Sequence, residues 1–139
     1  MLEEGCIRFC DWNEHGGSLE YDISSIHPDW DVVIQTYEVS GVSFDGQLIY
    51  ASNFSLYARG SNVPTYFSLY PSDKKRKLWE VIFAIKRKFF AEVKPDIVEH
   101  FIKAPYQVST RLALYEQHLD LLDYTIEQTT HTFTLIRRR

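Results

Sequence analysis

Pro71-Ser72-Asp73-Lys74-Lys75-Arg76-Lys77-Leu78-Trp79-Glu80-Val81-Ile82-Phe83-Ala84-Ile85-Lys86-Arg87-Lys88-Phe89-Phe90 is the stretch in which the chain changes its hydrophobic period. Before it, apolar residues recur at every second position. Within it, Leu78, Val81, Ile82, Ile85 and Phe89 recur at three- and four-residue intervals, and Trp79, Phe83 and Phe90 make a second stripe alongside. The spacing predicts an amphipathic helix over residues 73–92. Ser72 or Asp73 would cap it by accepting from a free backbone N–H, and Pro95 would stop it.

The segments upstream read as strands. Cys6-Ile7-Arg8-Phe9-Cys10-Asp11-Trp12 and Ser18-Leu19-Glu20-Tyr21-Asp22-Ile23 flank Asn13-Glu14-His15-Gly16-Gly17, which has the glycines of a turn. Val32 to Phe44 is rich in β-branched and aromatic residues, with Gly41 as a candidate bulge. Asp45-Gly46 predicts a type I′ hairpin turn, which requires positive φ at both central residues. The return strand, Gln47 to Tyr57, sets Leu48, Tyr50, Phe54 and Leu56 on one face. After Arg59-Gly60-Ser61-Asn62, Thr65-Tyr66-Phe67-Ser68-Leu69-Tyr70 reads as a fifth strand.

Downstream of the long helix, Ile97-Val98-Glu99-His100-Phe101-Ile102 reads as a strand. Residues 110–122 read as a second helix burying Leu112, Tyr115, Leu119 and Leu122. Two closing strands, 124–128 and 131–137, would pair across Thr129-Thr130. The order β-β-β-β-β-α-β-α-β-β predicts an α+β fold: a largely antiparallel sheet with two packed helices, in one domain over residues 1–139.

Composition fits that reading. The chain is 45% hydrophobic and 24% charged, too apolar for disorder. No apolar run approaches the roughly 18 residues of a membrane span. The acidic start Met1-Leu2-Glu3-Glu4 lacks the basic character of a secretory signal, so a cytoplasmic location without membrane attachment is expected. Charge is uneven. Residues 1–71 hold ten acids against two bases, net -8, whereas residues 72–139 hold thirteen bases against nine acids, net +4.

The basic excess concentrates at one place. Lys74, Lys75, Arg76 and Lys77 occupy the first turn of the long helix, where the helix dipole already supplies positive charge. Lys86-Arg87-Lys88 repeats the charge downstream. At 100° per residue, Arg76, Lys77, Arg87 and Lys88 fall on one expected exposed face, with Glu80 and Ala84 among them. Such a cluster suits an anion: an acidic protein surface or other polyanion, a nucleic-acid backbone or a phosphorylated cofactor. Equally, it is what a solvated helix face looks like.

Catalytic signatures are not visible. Cys6 and Cys10 on one strand would lie about 13 Å apart, too far for a disulfide. His15, His27, His100, His118 and His131 stand in no metal-binding array, so no metal and no cofactor are expected. His118 shares a helical edge with Arg111 and Tyr115, which would make a polar patch beside the sheet.

The stretch Ser109-Thr110-Arg111-Leu112-Ala113-Leu114-Tyr115-Glu116, followed by Leu122-Asp123-Tyr124-Thr125-Ile126 and Phe133-Thr134-Leu135-Ile136-Arg137, resembles the end of a GNAT-type N-acetyltransferase. There a strand leads into a helix carrying an L-Y-E pattern, then a G-[FY] step and a final pair of strands. The likeness covers residues 31–139 and implies a GNAT-like topology, acyl-CoA binding, and Tyr115 as the general acid for the departing thiolate. The chain departs from the family where its Q/R-x-x-G-x-G/A loop belongs: Tyr70-Pro71-Ser72-Asp73-Lys74-Lys75-Arg76 has no glycine, and Asp123 replaces the glycine before Tyr124. The backbone cradle for a pyrophosphate is therefore missing. The order of elements also resembles small uncharacterised domains of bacterial and phage genomes. The leading expectation is a non-enzymatic, protein-binding accessory factor, with a divergent acyl-CoA-binding transferase and a weak nucleic-acid binder as alternatives.

Overall fold

Four long strands form an antiparallel meander: β1 (Arg8–Asn13), β2 (Gly16–Asp22), β3 (Trp30–Val42) and β4 (Leu48–Ala58). A two-residue β5 (Pro64–Thr65) pairs onto β4. The long helix α1 (Lys75–Val93) then returns the chain to β6 (Ile97–Phe101), which lies parallel to β4. A 3-10 turn (Pro105–Gln107) leads into α2 (Val108–His118), and the hairpin β7 (Tyr124–Gln128) and β8 (Thr132–Arg137) closes the sheet. Strand order is β1-β2-β3-β4-β6-β8-β7, antiparallel at every step but one. This computed structural model describes residues 6–23, 30–58, 60–61, 63–65, 75–102 and 105–138. The expected cap at Ser72 or Asp73, Lys74, and most of the fifth strand (residues 66–70) lie outside them.

The mixed α+β architecture follows from the change of period. Residues paired across strands point the same way, so the register defines a face toward the helices. Leu19, Val33, Gln35, Tyr37, Tyr50, Ser52, Leu56, Val98, His100, Phe133 and Leu135 lie on it. α1 packs there through Leu78, Val81, Ile82, Ile85 and Phe89, all buried. Each such side chain contributes roughly 1.5–3 kcal/mol on leaving water. The second stripe serves a second cluster, in which Phe83 meets Val108, Leu112 and Tyr115 of α2 together with Phe133 and Leu135. α1 is thus the keel joining both halves of the core.

Several expectations are corrected. The β3–β4 hairpin is not type I′: positive φ occurs at Gly46 (83°) but not at Asp45. Gly46 N–H donates to Ser43 C=O and Ser43 N–H to Gln47 C=O, so the loop is three residues long with a left-handed glycine last. The register shift between Val39 and Gly41 is the expected bulge. Cys6 precedes β1 and does not share a strand with Cys10. α2 ends at His118, four residues early, because Leu119 turns to extended backbone; Leu122 is therefore 82% exposed rather than buried. Gly16 shows why the first hairpin needs glycine: φ is +101°, and a Cβ there would stand 1.9 Å from the Tyr37 carbonyl oxygen.

Candidate functional site

Two sets of polar side chains stand out, each including bases of α1, and they occupy opposite environments. The first is the basic edge. Arg76, Lys77 and Arg87 are exposed and Lys88 is half-buried. Lys77 Nζ sits 3.6 Å from Glu80, and Lys88 Nζ 3.6 Å from Glu92. Lys88 also lies over the Phe9 ring, toward β1, whereas Arg87 Nη1 reaches the His118 carbonyl at the end of α2. Ala84, expected among the exposed residues of this edge, is buried. The six residues Val81 to Lys86 are all inaccessible, so the basic edge is interrupted at mid-helix. Lys75 is half-buried at the first turn, which contains no acid.

The second set is sealed inside. Lys86, which begins the second basic run of the sequence, has no exposed surface at all. Its Nζ donates to Gln35 Oε1 at 3.0 Å and Ser52 Oγ at 3.1 Å, and stands 4.9 Å from the Tyr115 ring centroid. Gln35 is locked in turn, its Nε2 donating to Ser52 Oγ and to the Asn53 and Thr36 carbonyls. A neutral amine has two N–H groups, and here two acceptors receive them. An ammonium has a third, and only an aromatic ring faces it. Burial pushes the Lys86 pKa down to about 7, with the charge of Arg111 adding to the effect.

Around that amine the side chains are aromatic. Tyr37 stacks on Phe89 with centroids 3.5 Å apart, and its hydroxyl has no hydrogen bond of good geometry. His100 stacks on Phe133 at 4.5 Å and meets the Tyr115 ring edge-on at 4.8 Å, with neither ring nitrogen in a hydrogen bond of good geometry. Burial, then the charge of Lys86, hold His100 well below the ordinary histidine pKa. Tyr115 is 4% exposed, and burial pushes its hydroxyl pKa well up.

The expected trio on α2 does not form one polar patch. Tyr115 turns inward, the Arg111 guanidinium lies over the Trp79 ring at 5.2 Å, and His118 stacks on Phe83 at 4.7 Å. Cys10 is neighboured by Glu20, whose carboxylate accepts from the thiol at 3.0 Å. That bond, with burial, raises the thiol to about 11. It is a poor nucleophile. Among the described residues, no three of His, Cys, Asp and Glu gather in a metal-binding arrangement, and no helix is long and apolar enough to cross a membrane.

Charge sorts by face. On the sheet face turned away from the helices, β-strand residues Glu20, Asp22, Glu38, Glu99 and Glu127 carry acid; Arg8 is the one base among the described strand residues there, and pairs with Glu20 at 3.8 Å. Glu38, Ala51, Glu99, Thr134 and Glu127 form a single cross-strand row. The exposed bases of α1 lie on the opposite side of the molecule. Comparison with family models, with characterised proteins and with solved structures finds no match to this chain.

Proposed function

We propose that the chain is a binding protein with no catalytic step of its own, docking an acidic protein surface through the exposed basic residues of α1. The observation that carries the reading is the separation of charge by face. Like-signed potential on one side raises encounter rates with an oppositely charged partner and repels wrong ones. Arg76, Lys77, Arg87 and Lys88 would face that partner, with Lys75 at the helix start beside them. The sealed centre supports the non-catalytic half of the proposal. Four groups whose protonation the fold perturbs strongly, Tyr37, Lys86, His100 and Tyr115, are closed to substrate.

The test is retention on immobilised poly-L-glutamate, eluted with salt, beside duplex DNA on the same support. The double variant Arg76→Glu/Lys77→Glu should elute at distinctly lower salt from polyglutamate while keeping its thermal midpoint. Unchanged retention would remove the basic edge from the proposal. Tighter binding to DNA, with a salt slope falling by about one per removed base, would favour a nucleic-acid partner instead.

One observation favours a second reading, a divergent acyl-CoA-binding transferase. β4 and β6 pair in parallel with α1 between them in sequence, and α2 then leads to a closing hairpin in the order β6-β8-β7. That arrangement supports a GNAT-like topology. Its expected acid, Tyr115, is turned into the core beneath Lys86. Calorimetric titration with acetyl-CoA separates the readings: saturable heat abolished by Arg76→Ala/Lys77→Ala belongs to the transferase alone.

A further inference from the structure

The strand order ends in β1 on one side and β7 on the other, and the two edges are built differently. On β1 the register shifts between Cys10 and Asn13, with Asp11 at φ 53°. A bulge of that kind bends an edge out of line and guards it against pairing with another chain. β7 runs along β8 without a register shift and contains neither proline nor lysine. Among the described residues, no strand pairs with its other side.

Backbone hydrogen bonds fix which residues of β7 look outward. Thr129 N–H donates to Thr132 C=O at one end of the hairpin, and Arg138 N–H to Asp123 C=O at the other. In an antiparallel ladder bonded pairs alternate, so Thr125 and Glu127 turn their backbone groups toward β8. Tyr124, Ile126 and Gln128 turn theirs away from it. Tyr124 N–H obeys that parity, donating to Leu121 C=O instead of to β8. The open edge therefore offers the N–H and C=O of Ile126 and Gln128 and the C=O of Tyr124. Thr125, Glu127 and Gln128 are exposed, and Ile126 is half-buried.

We propose that β7 pairs antiparallel with β7 of a second copy of this chain, about a twofold axis at Ile126. The segment Asp123-Tyr124-Thr125-Ile126-Glu127-Gln128-Thr129 is self-complementary in that register. Glu127 lies opposite the partner's Thr125, and Asp123 opposite the partner's Thr129, so each acid meets a threonine. Centred on Thr125, Asp123 would oppose Glu127; centred on Glu127, two copies of that carboxylate would oppose each other. Like charges directly opposite destabilise a strand pair. The Ile126 axis also satisfies the open edge. Two bonds join the Ile126 residues to each other, and two run from Gln128 N–H to the partner's Tyr124 C=O. Side chains of one parity stay on one side, so both helical layers fall on one side of a continuous sheet and both acidic faces on the other. Charge sorting is doubled rather than cancelled. Five-residue edges make a small interface, so the association is weak and shows at high concentration.

Sedimentation equilibrium over a concentration series reaching about 1 mM measures the association, and amide hydrogen exchange over the same series locates it. Exchange at Ile126 and Gln128 should slow as concentration rises, whereas Thr125 and Glu127, already bonded to β8, should change little. Thr125→Glu sets a carboxylate opposite each Glu127 and should weaken dimerisation by about threefold to tenfold; Thr125→Lys should strengthen it by a similar factor. Both variants lose the bond from the Thr125 hydroxyl to the Ile136 carbonyl, so the difference between them reads charge across the interface. Thermal melts at low concentration establish that each is folded. A chain that stays monomeric throughout overturns the proposal, as does an association that the two Thr125 variants shift equally. So does one that Arg76→Glu/Lys77→Glu abolishes and the Thr125 variants leave alone, which would place the contact on the basic edge of α1.

Discussion

Lys86 and Arg87 are adjacent in sequence and live in opposite worlds. Lys86 lies wholly inside, held by Gln35 and Ser52 under aromatic rings, and its pKa falls to about 7. Arg87 is exposed, and its Nη1 reaches the His118 carbonyl at the end of α2. Lys88 bridges the two regimes, its stem over Phe9 and its head beside Glu92. The difference teaches that a run of like charges is not one surface. Helical geometry turns successive residues by 100°, so three bases in a row point in three directions. What a base does here is set by its neighbours across space: desolvation inside, screening outside.

The largest effect should come from the packed half. Phe89 has no exposed surface and stacks against Tyr37 with Trp12 edge-on. Phe89→Ala should cost about 3–5 kcal/mol in urea unfolding, since the stacked ring leaves a cavity behind. Arg87→Ala, two residues away, should change stability by no more than about 0.5 kcal/mol. Comparable losses for both would break the contrast between inside and outside.

Next comes pH. The folded chain holds Lys86 with a depressed pKa, so between pH 7 and its ordinary value near 10.5 the unfolded chain binds a proton that the folded chain has released. Stability must therefore rise with pH across that window, with a contribution approaching about 1.4 kcal/mol per pH unit. The clean interval is pH 7–9. Above it Cys10 and the buried tyrosines, whose ionisation the fold suppresses, pull stability down. Lys86→Met keeps the volume and removes the proton, and should flatten the slope between pH 7 and 9. A slope unchanged in that variant would mean that Lys86 is not the titrating group. Below pH 6.5 the further loss of stability expected in both proteins belongs to His100, which burial keeps neutral.

Much of this was legible in the chain. The change of period located the sheet and both helices, and the second apolar stripe on α1 marked the broad buried face, part of which packs in the cluster around Phe83. The hairpin turn was misread because Asp-Gly serves both a two-residue type I′ loop and a three-residue loop with a left-handed glycine last, which differ in length and in the backbone angles of the aspartate. The buried centre was missed for a different reason. Lys86 lies about 40° from Ile82 and 20° from Trp79 around the helix, between the two apolar stripes. The wheel placed it inside; the triplet of bases suggested outside. Gln35 and Ser52 carried the same signal, each at the inward parity of its strand. Partners from three distant segments had to converge before a lysine there became tolerable, and no single window of sequence shows convergence. Charge sorting was visible only as a difference between chain halves, because which strand residues face away depends on register.

The smallest predicted effect concerns the first turn of α1, where bases meet the positive end of the helix dipole without an acid in that turn. Lys77→Gln removes one such charge, a gain of about 0.3–1 kcal/mol at low salt, and forfeits the exposed pair with Glu80, worth about 0.2–0.5 kcal/mol. The variant should therefore be level with the parent or more stable by a few tenths of a kcal/mol. At 1 M salt, where the screening length is about 3 Å, the difference should vanish, whereas the pH slope of Lys86 should persist because no ions reach it. Thermal midpoints at the two salt concentrations check this. A loss of more than about 1 kcal/mol on Lys77→Gln would show that this residue holds the helix together rather than standing ready for a partner, and the basic edge would then belong with the interior.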